Sequence, residues 1–198
     1  MQVLNFININ CAKNNNLDHW KIFGRGDLQI INEGADGTNF AFLSTTRTSF
    51  SEGVKQELVV GCLVEGARME LKASMKLMAN DESFVCDKTH KYGEARVCPL
   101  MSIKFVVPTA ENGYRWLHIR NQNPIAWRAD TFNHFTGQFV ITSEMTASTE
   151  AYLYMYGPSP GVDIIFDEVT LREYSPPVTD CAQLIRSGDA RVSITFIS

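Results

Sequence analysis

Strict alternation is the feature that most limits how this chain can fold. In the run MELKASMKL, Met69, Leu71, Ala73, Met75 and Leu77 take every second position, and Glu70, Lys72, Ser74 and Lys76 fill the positions between. A strand turns successive side chains to opposite faces, whereas a helix would scatter these apolar residues around its circumference. The run therefore predicts a half-buried antiparallel strand. SIKFVV repeats the pattern with Ile103, Phe105 and Val107, and WLHIR sets Leu117 and Ile119 against Trp116, His118 and Arg120. GQFVITSE, AYLYMYG, DLQIINE and NFAFLSTT read as further strands, separated by clusters of Gly, Asn, Pro and Ser. SFSEGVKQELVVG comes nearest to a helical pattern, but its length and Gly53 argue against a helix. Many short strands at regular spacing predict an all-β protein, a β-sandwich or jelly roll of two antiparallel sheets.

A chain of 198 residues suggests one domain with something left over. Its net charge of −4 argues against bulk attraction to nucleic acid or to an anionic membrane. No apolar run is long enough to span a bilayer. The opening MQVLNFININ lacks the positive n-region and unbroken apolar h-region of a signal peptide, so the expectation is either a chain without a secretion signal or a piece of a longer secreted protein.

The five cysteines, Cys11, Cys62, Cys86, Cys98 and Cys181, form no CxxC pair, which makes a zinc or thioredoxin-type reading weak. Cys86 and Cys98 bracket the charged segment DKTHKYGEARV. A disulfide between them would restrain this polar insertion and imply an oxidising compartment. Two unpaired thiols flanking a loop are the alternative. Cys62 lies in an apolar run and reads as a small core residue.

After Pro176 and Pro177 the pattern changes. DCAQLIRSGDARV echoes NCAKNNNLDHW near the start, each opening with an acidic or amide residue followed by Cys-Ala. The expected organisation is a module over 10–175, then a linker over 176–198 that ends in the truncated start of a second repeat. A disordered tail is the plainer reading.

Five pieces in order carry a family likeness: LDHWKIFGRGDLQII, GTNFAFLSTTRTSFSEGVKQEL, GARMELKASMKL, FNHFTGQFVI and AYLYMYGPSPGVDIIFDEVTL. Over roughly residues 15–174 the chain resembles the β-jelly-roll carbohydrate-binding modules of families four, nine and twenty-two, the last often attached to xylanases. These have the galactose-binding-like fold. The departures are specific. Met69 and its neighbours stand where a tyrosine follows the glycine of the third piece, Phe132 stands for the tryptophan of the fourth, and the closing Asp-Asp is Asp167-Glu168. The family's opening Asn-Gly-Asp-Phe-Glu is replaced by KNNN.

The resemblance implies a non-catalytic module that binds a polysaccharide or glycan, outside the cell or on its surface, in tandem with other modules or appended to a glycoside hydrolase. It also implies a site. Arg25 matches a hydroxyl-donating arginine, Phe50 a stacking tryptophan, Trp116 a stacking tyrosine and Tyr156 a hydrogen-bonding glutamate. Alternation supports two of these, Trp116 and Tyr156, independently. Leu117 and Ile119 point to the core, so Trp116 points away; Leu153 and Met155 do likewise, so Tyr152, Tyr154 and Tyr156 point outward. Outward rings can stack on the C–H face of a sugar. Aromatics also favour strands without any ligand, and loops or the second sheet can cover such a face. A structural or adhesive sandwich without a sugar site is therefore the competing function. The tyrosine in place of glutamate at 156 keeps xylan specificity from carrying over.

Asp167 interrupts an apolar strand, where a buried carboxylate needs partners. The resemblance implies a structural calcium held with oxygens from the N-terminal strand. A hydrogen-bonded cap on a neighbouring loop is the alternative. GRGD over Gly24–Asp27 contains an Arg-Gly-Asp tripeptide, but the family already accounts for its Arg-Gly. His19, His90, His118 and His134 show no metal-ligand spacing, no nucleophile elbow is expected, and adjacent Asp167 and Glu168 cannot flank one glycosidic bond. No catalysis is expected.

Overall fold

The computed structural model describes residues 20–174. The expected 176–198 linker and repeat, the residues before 20, Cys11 and Cys181 lie outside the described residues, as does the side chain of Cys62.

Eleven strands form among the described residues, joined by a short 3₁₀ turn at Val60–Cys62 and one helical turn, α1, at Ser143–Thr146. One sheet runs β1 (Trp20–Phe23), β4 (Gly53–Leu58), β10 (Glu150–Tyr156), β7 (Leu100–Val106) and β8 (Tyr114–Ile119). The other runs β2 (Asp27–Ile31), β3 (Ala41–Thr45), β11 (Val162–Glu173), β5 (Arg68–Ala79) and β6 (Glu82–Ser83), with β9 (Asn133–Val140) also paired to β5. All the strand pairs are antiparallel. This is the two-sheet all-β sandwich expected from the alternation. The helix-like segment around Gly53 is the strand β4, as its glycine indicated.

The core lies between the sheets. Leu71, Met75 and Leu77 of β5 meet Ile103 and Phe105 of β7, Leu153 and Met155 of β10, and Phe166 of β11, all fully buried. Trp20 packs edge-on against Phe166 at 5.1 Å, and Phe42 stacks on the same ring at 5.3 Å. Each such aromatic pair contributes about 0.5–1.5 kcal/mol beyond its burial.

The far face of β5 is less solvated than alternation alone implies, because Glu70 and Ser74 are also buried. Glu70 is held by Lys72 at 2.9 Å and Arg172 at 3.0 Å. Burial pushes its pKa up, but hydrogen bonds and charge from these two cations outweigh it and hold the carboxyl below the ordinary 4.5.

In β11, two residues stand between Asp167 and Thr170 where β5 has one between their partners Ser74 and Lys72. Glu168 adopts φ +50° at this bulge. Phe166 before the extra residue and Val169 and Leu171 after it all face the core.

Candidate functional site

The register of the first sheet arranges its outer face in rows. Phe23, Gly53, Tyr156 and Leu100 lie side by side; the next row holds Lys21, Lys55, Tyr154, Ser102 and His118; the next holds Glu57, Tyr152, Lys104 and Trp116. Five strands thus bring residues from position 21 to position 156 onto one surface.

Rings join across these rows. Tyr154 meets Phe23 at 4.7 Å and Trp116 at 4.9 Å. Trp116 lies parallel to His118, their planes 2° apart. Tyr152 stands 6.4 Å from Tyr154, with Lys55 Nζ over the Tyr152 ring, 5.1 Å from its centroid. A second chain of rings runs Phe50–Tyr92–Tyr156, with centroids 6.0 and 6.1 Å apart.

Tyr92 arrives on the loop closed by the Cys86–Cys98 disulfide, whose Cα atoms are 5.0 Å apart. The thiols expected as a pair are bonded. Lys88 fastens the same loop to the 120s segment by donating to the carbonyls of Asn123, at 2.6 Å, and Ile125. Burial lowers the Lys88 pKa. The ordered loop walls a cleft of about 950 Å³, lined on the opposite side by Trp116, His118 and Arg120, with Ser102 and Tyr156 between.

The cleft contains a polar relay. Ser102 Oγ is fully buried and sits 3.0 Å from the Tyr156 hydroxyl and 2.9 Å from His118 Nδ1. Burial raises the Tyr156 pKa, so its phenol stays neutral and keeps a proton to donate. No carboxylate lines the cleft among the described residues.

Of the residues singled out in the sequence, Trp116 and Tyr156 line this cleft. Trp116 retains 38% exposure. Tyr154 points away from the core, as alternation requires, yet is only 4% exposed because Phe23, Trp116 and Tyr152 surround it. It supports the exposed rings from below. Phe50 is half-buried and reaches the cleft through Tyr92. Arg25 is exposed on the β1–β2 turn and does not line the cleft. Its backbone N–H instead helps to hold Glu52. The Glu52 carboxylate also accepts from the backbone N–H groups of Thr48 at 2.5 Å and Ser49 at 2.9 Å. Burial would raise the Glu52 pKa, but these hydrogen bonds prevail and lower it. Nearby, buried Arg47 donates to the carbonyls of Pro158, at 2.9 Å, and Val162, which ties the β3–β4 turn to the β10–β11 turn.

Phe23, Tyr92, Ser102 and His118 were not singled out by their sequence context. Phe23 and His118 alternate outward within their strands, a usable signal. Tyr92 sits in a polar loop, and the disulfide and the Lys88 hydrogen bonds hold that loop with its ring over the sheet.

Asp167 is 1% exposed. Its Oδ2 accepts from Ala35 N at 2.9 Å and from the Thr38 hydroxyl, and its Oδ1 accepts from Glu168 N at 2.7 Å. The carboxylate thus caps the turn at residues 35–38. Calcium takes six to eight oxygens. Among the described residues no cluster of three or more His, Cys, Asp or Glu side chains could hold a metal ion. Donors engage both Asp167 oxygens, and the N-terminal oxygens invoked for calcium lie outside the described residues. In the Arg-Gly-Asp tripeptide, Asp27 begins β2 and its Oδ2 accepts from the Thr46 hydroxyl at 3.1 Å.

No protein-family model matches the chain, and no curated protein matches it. Solved structures do. The C-terminal family 22 carbohydrate-binding module of Clostridium thermocellum Xyn10B matches with a TM-score of 0.60 at 14% identity, covering 87% of this chain and 97% of that one. The CBM22-2 xylan-binding domain of Paenibacillus barcinonensis Xyn10C gives 0.59 at 11% identity, covering 81% and 94%. The CBM22-1–GH10 modules of the C. thermocellum endo-1,4-β-D-xylanase 10B, solved with xylohexaose, give 0.58 at 20% identity, covering 84% of this chain and 28% of that one. The fold is therefore the jelly roll of carbohydrate-binding modules, the architecture expected from the five sequence pieces.

Proposed function

We propose that this chain is a non-catalytic carbohydrate-binding module that takes a polysaccharide or glycan in the cleft beside the disulfide loop. One observation carries the reading. Two ring systems, Trp116 over Tyr154 and Tyr92 beside Tyr156, border a cleft whose floor offers the Ser102–Tyr156–His118 relay. Rings of this kind stack on the C–H face of a pyranose, and hydroxyl and imidazole groups exchange hydrogen bonds with its hydroxyls. The preformed, disulfide-closed wall lowers the ordering cost of binding. The fold likeness to xylan-binding modules supports the same reading.

Glycoside hydrolysis requires two carboxyl groups about 5–10 Å apart across the bond. The carboxylate-free lining of the cleft favours binding without turnover. The module serves as an accessory to a glycoside hydrolase or as part of another extracellular polypeptide, a setting consistent with its disulfide. No helix among the described residues is long and apolar enough to cross a membrane. Asp167 acts as the cap it forms on the turn at residues 35–38.

The test is a binding panel of soluble and insoluble β-glucans, xylans, mannans and acidic polysaccharides against the folded chain. Saturable binding to at least one class, lost on Trp116→Ala, supports the proposal. A folded protein that binds none of them overturns it and leaves a structural or adhesive module.

A further inference from the structure

We propose that the preferred ligand is an anionic polysaccharide, carrying uronate carboxylates or sulfate esters on its sugar rings. This inference rests on the carbohydrate-binding reading above. The chain carries a net charge of −4, yet its cleft has the opposite character. Lys88, His90, Lys91, His118 and Arg120 line it, and no Asp or Glu does so among the described residues.

Not all of these groups are available to a ligand. Lys88 is committed to the carbonyls of Asn123 and Ile125. His90 faces Asp87 at 4.0 Å and Glu94 at 3.8 Å, which match its charge when it is protonated. Lys91 and Arg120 differ. Both are exposed, and neither side chain has an acidic partner among the described residues. One comes from the disulfide loop and the other from the end of β8, so a chain lying in the cleft meets a cation from each wall. Beyond the cleft, Lys104 lies over the rings of Tyr114 and Trp116.

A neutral glycan would leave both cations solvated and gain little from them. An acidic group on the sugar ring pairs with them. Arginine suits either source, because its planar fork matches two oxygens of a carboxylate or a sulfate. Opposite charges in a walled cleft also speed encounter.

The experiment measures affinity of the 198-residue chain for three matched linear polymers by calorimetry: a neutral xylan, a uronate-bearing polymer and a sulfated polymer, at 0.05 and 0.5 M NaCl. The expected result is an acidic polymer bound about tenfold or more tightly than the neutral one, the scale of a charge-assisted hydrogen bond. That preference should shrink at high salt, as exposed charges are screened. The uronate and sulfate arms identify the source of the charge. In the Lys91→Gln/Arg120→Gln double variant, with thermal unfolding as the fold control, the acidic-to-neutral affinity ratio should fall toward one. Equal affinity for neutral and acidic polymers overturns this inference and leaves the carbohydrate-binding function standing. Preference for acidic polymers that survives in the double variant overturns the role of these two residues. Binding to none of the polymers overturns both proposals. Equally tight binding of a single-stranded oligonucleotide, included as a competitor, would assign the basic, ring-lined cleft to a different class of ligand.

Discussion

Trp116→Ala separates a binding ring from a packing ring. Trp116 is 38% exposed, and its packing partner is Tyr154 at 4.9 Å. Losing that ring pair costs about 0.5–1.5 kcal/mol. Its contact with Lys104, 5.9 Å from the ring centroid, adds about 0.5–1 kcal/mol at most at an exposed site. The fold should therefore lose about 1–2.5 kcal/mol. For a domain of this size that is a fall of about 2–10 °C in Tm. Binding should suffer more. A ring at the mouth of the cleft acts as a hot spot, and its truncation should weaken glycan affinity by about 1–3 kcal/mol. Calorimetric titration and a thermal melt on the same preparation measure both effects. Tyr154→Ala is the counterpart. Its ring is buried between Phe23 and Trp116, so its truncation should cost about 3–5 kcal/mol of stability, as other buried aromatic truncations do. An affinity within twofold of the parent in a folded Trp116→Ala protein would refute the reasoning and make Trp116 a packing residue.

Replacing Cys86 and Cys98 by serine should cost about 3 kcal/mol through the entropy of a loop with a sequence separation of 12, and should weaken glycan binding by freeing Tyr92; equal affinity with and without reductant would remove the loop from the site. Asp167→Ala strands the Ala35 N–H and should destabilise the fold by about 1–3 kcal/mol, read by urea denaturation. EDTA should leave the Tm unchanged, and a fall reversed by added calcium would restore the metal reading. The lowered pKa values of Glu52 and Glu70 mean that the unfolded chain binds their protons more tightly. Their stabilisation is complete above the ordinary 4.5 and is lost as pH falls through their folded values, so Glu52→Gln should flatten the decline of Tm below pH 4.5. A decline as steep as the parent's would assign acid sensitivity to other groups.

Much of the sandwich was readable because one face of each strand is packed and the other is not. Alternation placed Leu117, Ile119, Leu153 and Met155 inward and, by elimination, Trp116 and Tyr156 outward. The same logic overstated the openness of Tyr154. Period two reports which side a ring is on, while neighbouring strands decide whether that side is covered, here by Phe23 from β1 and Trp116 from β8. Glu70 and Ser74 illustrate the same limit on the second sheet. Tyr92 was hidden for another reason. Its place depends on a covalent closure between residues twelve apart and on Lys88 bonding to a segment more than thirty residues away, and neither leaves a periodic trace. Asp167 was conspicuous as an acidic residue in an apolar strand, but its partners at residues 35 and 38 become visible only when β11 pairs with β3 and the turn folds across it.

The bulge in β11 has a consequence for the length of the chain. Without Glu168, Phe166, Val169 and Leu171 would still alternate perfectly toward the core, with Asp167 and Thr170 facing away. The interior does not need this residue, and its positive φ is a conformation that non-glycine residues adopt at a cost. What it contributes is local. It bends the strand at one point and presents an amide that engages Asp167 Oδ1. A chain one residue shorter would keep the same hydrophobic lattice and lose a hinge-like crease beside the loop that Asp167 anchors. The second sheet is thus shaped at an inner strand by an insertion, in the way a tailor's dart shapes cloth that would otherwise lie flat.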